Sequence, residues 1–219
     1  MAKRIFIGIN FPSGSFEIIK RNGSIYRIAN KSDIFRWYLL STDGGFWSDM
    51  DILFIKPIEQ YYNNCRDLDI VMSYFDGCFS IGFLGASAQN EWYKDILHIA
   101  NGRLDKSISN SSHSYDTCGV FCVYDSIGGC TETKIDILQK TYPQYKIQCN
   151  HSDFVYPFKV KQMEYKKIFE QLVPMLPDVT VGIHWYGGSP LAQHYNNILN
   201  DKSVWTINNT FTFFARKIL

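Results

Sequence analysis

The sequence has no excess of either charge, no apolar run of membrane length, no internal repeat and no paired cysteine motif. Its 219 residues carry 22 Lys and Arg against 21 Asp and Glu, a net charge of +1. A chain so balanced lacks the basic footprint expected of a nucleic-acid or polyanion binder. No apolar stretch approaches the roughly 20 residues that a bilayer requires, so no transmembrane segment is expected. The opening M-A-K-R-I-F-I-G-I-N has too short an apolar core for a signal peptide. The six cysteines, Cys65, Cys78, Cys118, Cys122, Cys130 and Cys149, make no paired Cys-x-x-Cys zinc pattern. They read as reduced, mostly buried thiols, which gives a cytoplasmic reading with any membrane contact peripheral. The Asn-x-Ser/Thr sequons in this Asn-rich chain are read as chance matches.

The chain is rich in core-forming residues, 46% hydrophobic and 16% aromatic. That composition and length suit one globular domain over residues 1–219 with a substantial core. The stretch that organises it is N-K-S-D-I-F-R-W-Y-L-L-S-T-D-G-G-F-W-S-D-M-D-I-L-F-I-K-P-I, residues 30 to 58. Ser32 to Leu40 reads as a largely buried helix, with Ser32 or Asp33 able to cap its N-terminus. Gly44-Gly45 breaks it, and Phe46 to Ile55 reads as a buried strand stopped by Pro57. Asp49 and Asp51 lie inside that strand, where two carboxylates are costly unless something offsets their desolvation. Alternation would turn both to one side and send Met50 into the packing. A pair of hard oxygen ligands suits Mg²⁺ or Mn²⁺, whose other ligands commonly come from substrate phosphates. A solvated strand end is the plainer alternative for an isolated Asp-x-Asp.

The tripeptide is not isolated. S-D-x-x-R, a leucine-rich helix end, G-G-F-W-x-D-x-D, an apolar run and K-P together resemble the core of the Asp-x-Asp (DXD) nucleotide-sugar glycosyltransferases. Ser32, Asp33, Arg36, Leu40, Gly44, Gly45, Asp49, Asp51, Lys56 and Pro57 keep that family's register. Leu40-Ser41 stands for the usual Leu-Tyr, and Ser48 for the second aromatic. The resemblance implies an α/β fold, a GT-A type, Rossmann-like domain with a mixed central sheet flanked by helices. It also implies a nucleoside-diphosphate sugar donor (UDP or GDP), a glycan or glycoconjugate acceptor as in polysaccharide biosynthesis, and Mn²⁺ or Mg²⁺.

In chain order, Arg4 to Asn10 reads as a first strand. Phe16 to Lys20 and Ser24 to Ile28 read as short strands about Asn22-Gly23. The distance from the first strand to S-D-x-x-R is shorter than the family's, so the N-terminal part is read as shortened. Glu59 to Cys65 reads as a short helix, Asp69 to Phe75 and Phe79 to Ala86 as strands, and Glu91 to Ala100 as an amphipathic helix. Ser80, Ile81 and Gly82 occupy the place of the family's segment near the sugar. Arg103 to His113 reads as a polar loop. Tyr115 to Ile127 contains a helix ended by Gly128-Gly129, Tyr145 to Cys149 is strand-like, and Tyr165 to Met175 is helical by spacing. Val155-Tyr156-Pro157-Phe158 resembles the family's late Y-P segment.

The second informative stretch is T-V-G-I-H-W-Y-G-G-S-P-L-A-Q-H-Y-N-N-I-L, residues 180 to 199. A strand leads to His184, glycines follow, and Ser189-Pro190 opens a helix with Ser at N-cap and Pro at N1. Glycine amides beside a helix N-terminus make a place for diphosphate. His184 is either a metal ligand or a histidine buried by Trp185. H-W-Y-G-G-S is similar to the family's H-x-W-A-G-S-W, which favours the ligand.

The resemblance thus implies Asp49, Asp51 and His184 as metal ligands, with Ser32, Asp33, Arg36, Gly187, Gly188 and Ser189 on the donor. Asp33 and Arg36 also fit an ion pair one helical turn apart. An inverting enzyme needs a carboxylate on the acceptor side, for which Asp76 and Asp116 are the candidates. A metal-dependent nucleotide-sugar hydrolase and an inactive sugar-nucleotide-binding domain are the alternatives.

Overall fold

The computed structural model describes residues 28–75, 77–109, 117–129, 131, 134–160 and 162–219. The expected strand and hairpin between Arg4 and Arg27 lie outside them, as do Asp76 and Asp116.

Helix α1 (Ile28–Thr42) is the element around which the first half packs. It begins a turn before Ser32, so Ser32 and Asp33 lie within the helix and do not cap it. Ala29, Asn30 and Lys31 carry the helix upstream, and Asp33 meets Arg36 across one turn at 3.5 Å. Trp37 and Leu40 are fully buried, and the Trp37 indole N–H donates to the Cys118 carbonyl at 2.7 Å. The helix ends where Gly44, at φ +68, donates its N–H to the Leu39 carbonyl at 3.0 Å.

Strands β1 (Gly45–Ser48) and β2 (Ile52–Phe54) follow, then α2 (Ile58–Asn64), β3 (Ile70–Phe75) and β4 (Cys78–Ala86). The single strand expected over Phe46 to Ile55 is in fact two, and Asp49-Met50-Asp51 is the break between them. Met50, expected in the packing, is 99% exposed. The cause is the cost already noted: the chain leaves the strand where its carboxylates would otherwise be desolvated. β1 joins a four-stranded mixed sheet of order β1-β4-β3-β5, where β5 (Ile147–Asn150) runs parallel to β3 and the other pairs are antiparallel. β2 instead pairs antiparallel with β6 (Gly182–His184) in a separate two-stranded sheet.

Helices α3 (Glu91–Ser109), α4 (Val120–Ile127) and α5 (Lys134–Thr141) flank the four-stranded sheet with α1. Trp37, Phe79, Trp92, Tyr93, Ile96 and Leu138 share one core. Arg103 to Ser109, expected as loop, is the end of α3, anchored by buried Leu104; residues 110–113 lie outside the described residues. The helix expected over Tyr165 to Met175 shrinks to a 3₁₀ turn, Glu164–Lys166, and α6 (Lys167–Glu170). Gln171 is already extended, and Val173 before Pro174 is disfavoured in a helix.

A second core gathers Phe158, Ile168, Phe169, Ile183, Ala192 and Phe214 under β6, α7 (Pro190–Ile198) and α9 (Thr210–Ile218). α8 (Ser203–Thr206) and α9 occupy a stretch for which the sequence offers no family motif. α9 starts at a reciprocal cap in which the Asn209 side chain accepts from Thr212 N–H and Thr212 Oγ1 accepts from Asn209 N–H. The mixed sheet flanked by helices agrees with the α/β expectation for a GT-A-like domain. Among the described residues, no helix is long and apolar enough to cross a membrane.

Candidate functional site

The break between β1 and β2 places each Asp at the end of a different sheet. Asp49 continues the β1–β4 ladder, donating its N–H to the Gly82 carbonyl at 2.7 Å. Asp51 precedes the β2–β6 ladder, in which Ile52 stands opposite His184. The Asp51 carbonyl accepts from Trp185 N–H at 2.9 Å, which extends that pairing by one step. Antiparallel register therefore carries His184, 133 positions on, to the side of Asp51. One ligand atom each from Asp49, Asp51 and His184 lie within 4.8 Å of one another.

Partners fix each of these side chains. The Arg36 Nη2 and the Trp47 Nε1 both donate to Asp49 Oδ1, at 2.9 and 2.8 Å. That leaves Oδ2 as the remaining acceptor of Asp49. Arg36 is itself buried, with its guanidinium 4.8 Å from the Trp47 ring centre and 5.6 Å from that of Trp37. Its Nε and Nη1 are buried without a hydrogen-bond partner. Asp51 Oδ1 stands 3.1 Å from His184 Nε2, and Oδ2 accepts from Gly187 N–H at 2.7 Å. Burial pushes the Asp51 carboxyl up, but the His184 hydrogen bond and charge, with the Gly187 amide, outweigh it and hold the carboxyl below its ordinary value.

His184 is not buried by Trp185, whose ring packs on Phe169 and Phe211 in the second core. It rests between Tyr156 and Tyr186, at ring separations of 5.1 and 4.5 Å. Its Nδ1 accepts from Tyr186 N–H at 3.3 Å, so a neutral ring carries its proton on Nε2, toward Asp51.

These groups open onto a cleft of about 730 Å³ lined by residues from both halves of the chain. Ser32, Asp33 and Arg36 line it from α1, the Asp-x-Asp turn from the sheet junction, and His184 with Gly187, Gly188 and Ser189 from the segment after β6. Ser189 is the N-cap of α7 with Pro190 at N1, and its Oγ accepts from Ala192 N–H. The three residues expected to present amides to a diphosphate are not equally available. Gly187 N–H is spent on Asp51 and Ser189 N–H on the Tyr186 carbonyl at 2.8 Å, so Gly188 supplies the remaining main-chain donor of the three.

Sequence reasoning did not single out Trp47, Val160, Tyr165 or Tyr186, which also line the cleft. Trp47 had a legible signal, an indole two residues before a strand-end carboxylate and so on the same side. Val160 and Tyr165 had none, since they reach the cleft from an irregular segment. Gly82 is not among the lining residues but packs behind Asp49: a Cβ there would come within 2.4 Å of the Tyr156 hydroxyl and 3.0 Å of Asp49 Oδ2. Ser80, in the same segment, donates to that Tyr156 hydroxyl.

Residues 10–69 match the family model described as the glycosyltransferase sugar-binding region containing DXD motif. The match supports a DXD glycosyltransferase. It spans α1, both strands of the break and α2, and stops before His184 and the α7 cap. No curated protein and no solved structure matched the chain.

The donor set fits a divalent cation of the kind that DXD families usually bind. Two carboxylates and one imidazole are ligands of the type that Mn²⁺ accepts, and Mg²⁺ less readily through the nitrogen. Asp49 Oδ1 and Asp51 Oδ2 are each tied to protein donors, which orients the carboxylates as partners behind a metal ligand do, while Asp51 Oδ1 meets His184 Nε2.

Proposed function

We propose that the protein is a metal-dependent hexosyltransferase that moves a sugar from a nucleoside-diphosphate sugar, UDP- or GDP-linked, to a hydroxyl of a glycan acceptor. The observation that supports it is the convergence of Asp49, Asp51 and His184 at one cleft, from two sheets, within 4.8 Å. Mn²⁺ or Mg²⁺ held there would supply Lewis-acid stabilisation of the charge that develops on a departing diphosphate.

The remaining roles belong to the chain's own side chains. Arg36 neutralises Asp49 and fixes its orientation. Asp33, against Arg36, keeps the guanidinium from turning away. Gly188 and the capped N-terminus of α7 face the same cleft and favour negative charge. Ser32 lies one residue before Asp33 on the cleft wall and suits a polar contact to the donor. Carboxylates, imidazole and guanidinium on one wall thus match a ligand that combines phosphates with a sugar.

The test is calorimetric titration with Mn²⁺, with and without UDP or GDP, on the parent and Asp51→Asn. Product analysis with donor sugars and hydroxyl acceptors accompanies it. Mn²⁺-dependent nucleotide binding that Asp51→Asn abolishes, with acceptor-dependent transfer, is expected. Free sugar released at the same rate with and without acceptor would make the protein a hydrolase. Binding without any turnover would make it a sugar-nucleotide-binding domain.

A further inference from the structure

Three consecutive amides after β6 turn toward the candidate metal ligands. Trp185 N–H donates to the Asp51 carbonyl, Tyr186 N–H to His184 Nδ1, and Gly187 N–H to Asp51 Oδ2. The residue in the middle is in the left-handed region, with Tyr186 at φ +53. An aromatic side chain there is uncommon, because Cβ crowds the following carbonyl. Glycine would adopt that backbone freely. Yet Tyr186 is the residue present, and its side chain is anchored: the phenol donates to the Phe158 carbonyl at 2.6 Å. Its ring also meets Tyr165, Phe75 and His184 edge-on or tilted.

From these contacts we infer that Tyr186 is the positioning residue of the site: its anchored side chain holds a strained turn that aims Gly187 N–H at Asp51 and its own N–H at His184. The shorter of the two bonds, 2.7 Å to Asp51 Oδ2, leaves Oδ1 facing His184 Nε2 and the cleft. The longer, 3.3 Å to Nδ1, is a soft contact. Were a cation held at Nε2, the ring proton would stand on Nδ1 and this contact would be given up. The tight bond therefore fixes the carboxylate, while the soft one leaves the imidazole free to change tautomer. The Tyr186 ring packs on His184, but neither hydrogen bond is made by its side chain; both depend on the peptide geometry it imposes.

The cation part of this inference rests on the metal reading above, and the test separates the two. Tyr186→Phe removes the phenol anchor and keeps the ring, while Tyr186→Gly removes the anchor and the strain together. Amide hydrogen exchange in the cation-free protein is read at Gly187 and, for comparison, at Ile96 in the core. Both variants are expected to lose at least tenfold protection at Gly187 with Ile96 unchanged. Mn²⁺ affinity, measured by calorimetry, is expected to fall about fivefold in Tyr186→Phe and more in Tyr186→Gly, although glycine relieves the backbone. Unchanged Gly187 protection in both variants would overturn the positioning role. So would equal losses at Gly187 and Ile96, which mark a residue that serves only the fold. A parent that binds no Mn²⁺, with the Gly187 loss present in both variants, overturns the metal reading and leaves the positioning role standing.

Discussion

At Asp51, burial and its partners act in opposite directions, and the partners win: the carboxyl sits below its ordinary value of 3.8. A group whose folded pKa is depressed adds stability above its unfolded pKa and loses it as pH falls through the folded one. The depressed Asp51 carboxyl should therefore contribute stability above about pH 3.8 and lose it as pH falls further. Comparing acid unfolding of the parent with Asp51→Asn checks this, since the difference between them should narrow in that window. Gly82 is a second residue whose role can be read from distances. Its α-carbon faces the Tyr156 hydroxyl and Asp49 Oδ2, and neither can retreat while Ser80 and Arg36 hold them. Gly82→Ala is expected to cost about 1–3 kcal/mol by overpacking. It should also displace Asp49 and weaken Mn²⁺ binding, which chemical denaturation and calorimetry would report separately.

Between elements, the decisive event is the departure of the chain from β1 and its re-entry as β2 in another sheet. Gly44 sets this up by ending α1 in a left-handed turn packed on the backbone of residues 86 to 88. A Cβ there would lie 2.6 Å from Ala88 N and 2.7 Å from the Ala86 carbonyl. Gly44→Ala should cost more than about 1–2 kcal/mol, since left-handed strain alone is of that order and the clash is with backbone. Denaturant titration would show a lower midpoint with an unchanged slope if the native state alone is affected. Much of this was legible in sequence: Gly44-Gly45 as the stop, Pro57 as the limit, and the Asp-x-Asp as a costly insertion in apolar surroundings. The direction of Met50 was not, because period-2 alternation holds only while a strand continues, and it stops at Asp49. The helix over Tyr165 to Met175 failed for a related reason: apolar spacing fits, but Pro174 and the extended Gln171 deny it hydrogen bonds. Tyr186 left no trace, since a left-handed aromatic has no signature in composition. His184 was legible only through its neighbours; its place beside Asp51 depends on a β2–β6 register that sequence spacing cannot supply.

Seen as a whole, the described residues pack into three apolar clusters, and the third, with Ile52, Phe83, Phe154, Val155 and Tyr156, lies where the two sheets meet. The four-stranded sheet and its helices hold Arg36, Trp47 and Asp49. The two-stranded sheet β2–β6 and its C-terminal helices hold Asp51 and His184. A cation bridging Asp49, Asp51 and His184 would therefore tie the ends of the two sheets to each other. Ligation of the native state alone stabilises it by about 2.7 kcal/mol at one hundred times Kd. For a chain of this size each kcal/mol raises Tm by roughly 2–4 °C, so a rise of roughly 5–10 °C is expected with Mn²⁺ and UDP together. Asp51→Asn should lose that rise. Trp37→Phe, which removes an indole bond to Cys118 in the first core, should lower the starting Tm yet keep the rise. Thermal melts of the three proteins with and without both ligands decide the matter. If Asp51→Asn keeps the full rise, the ligands bind elsewhere.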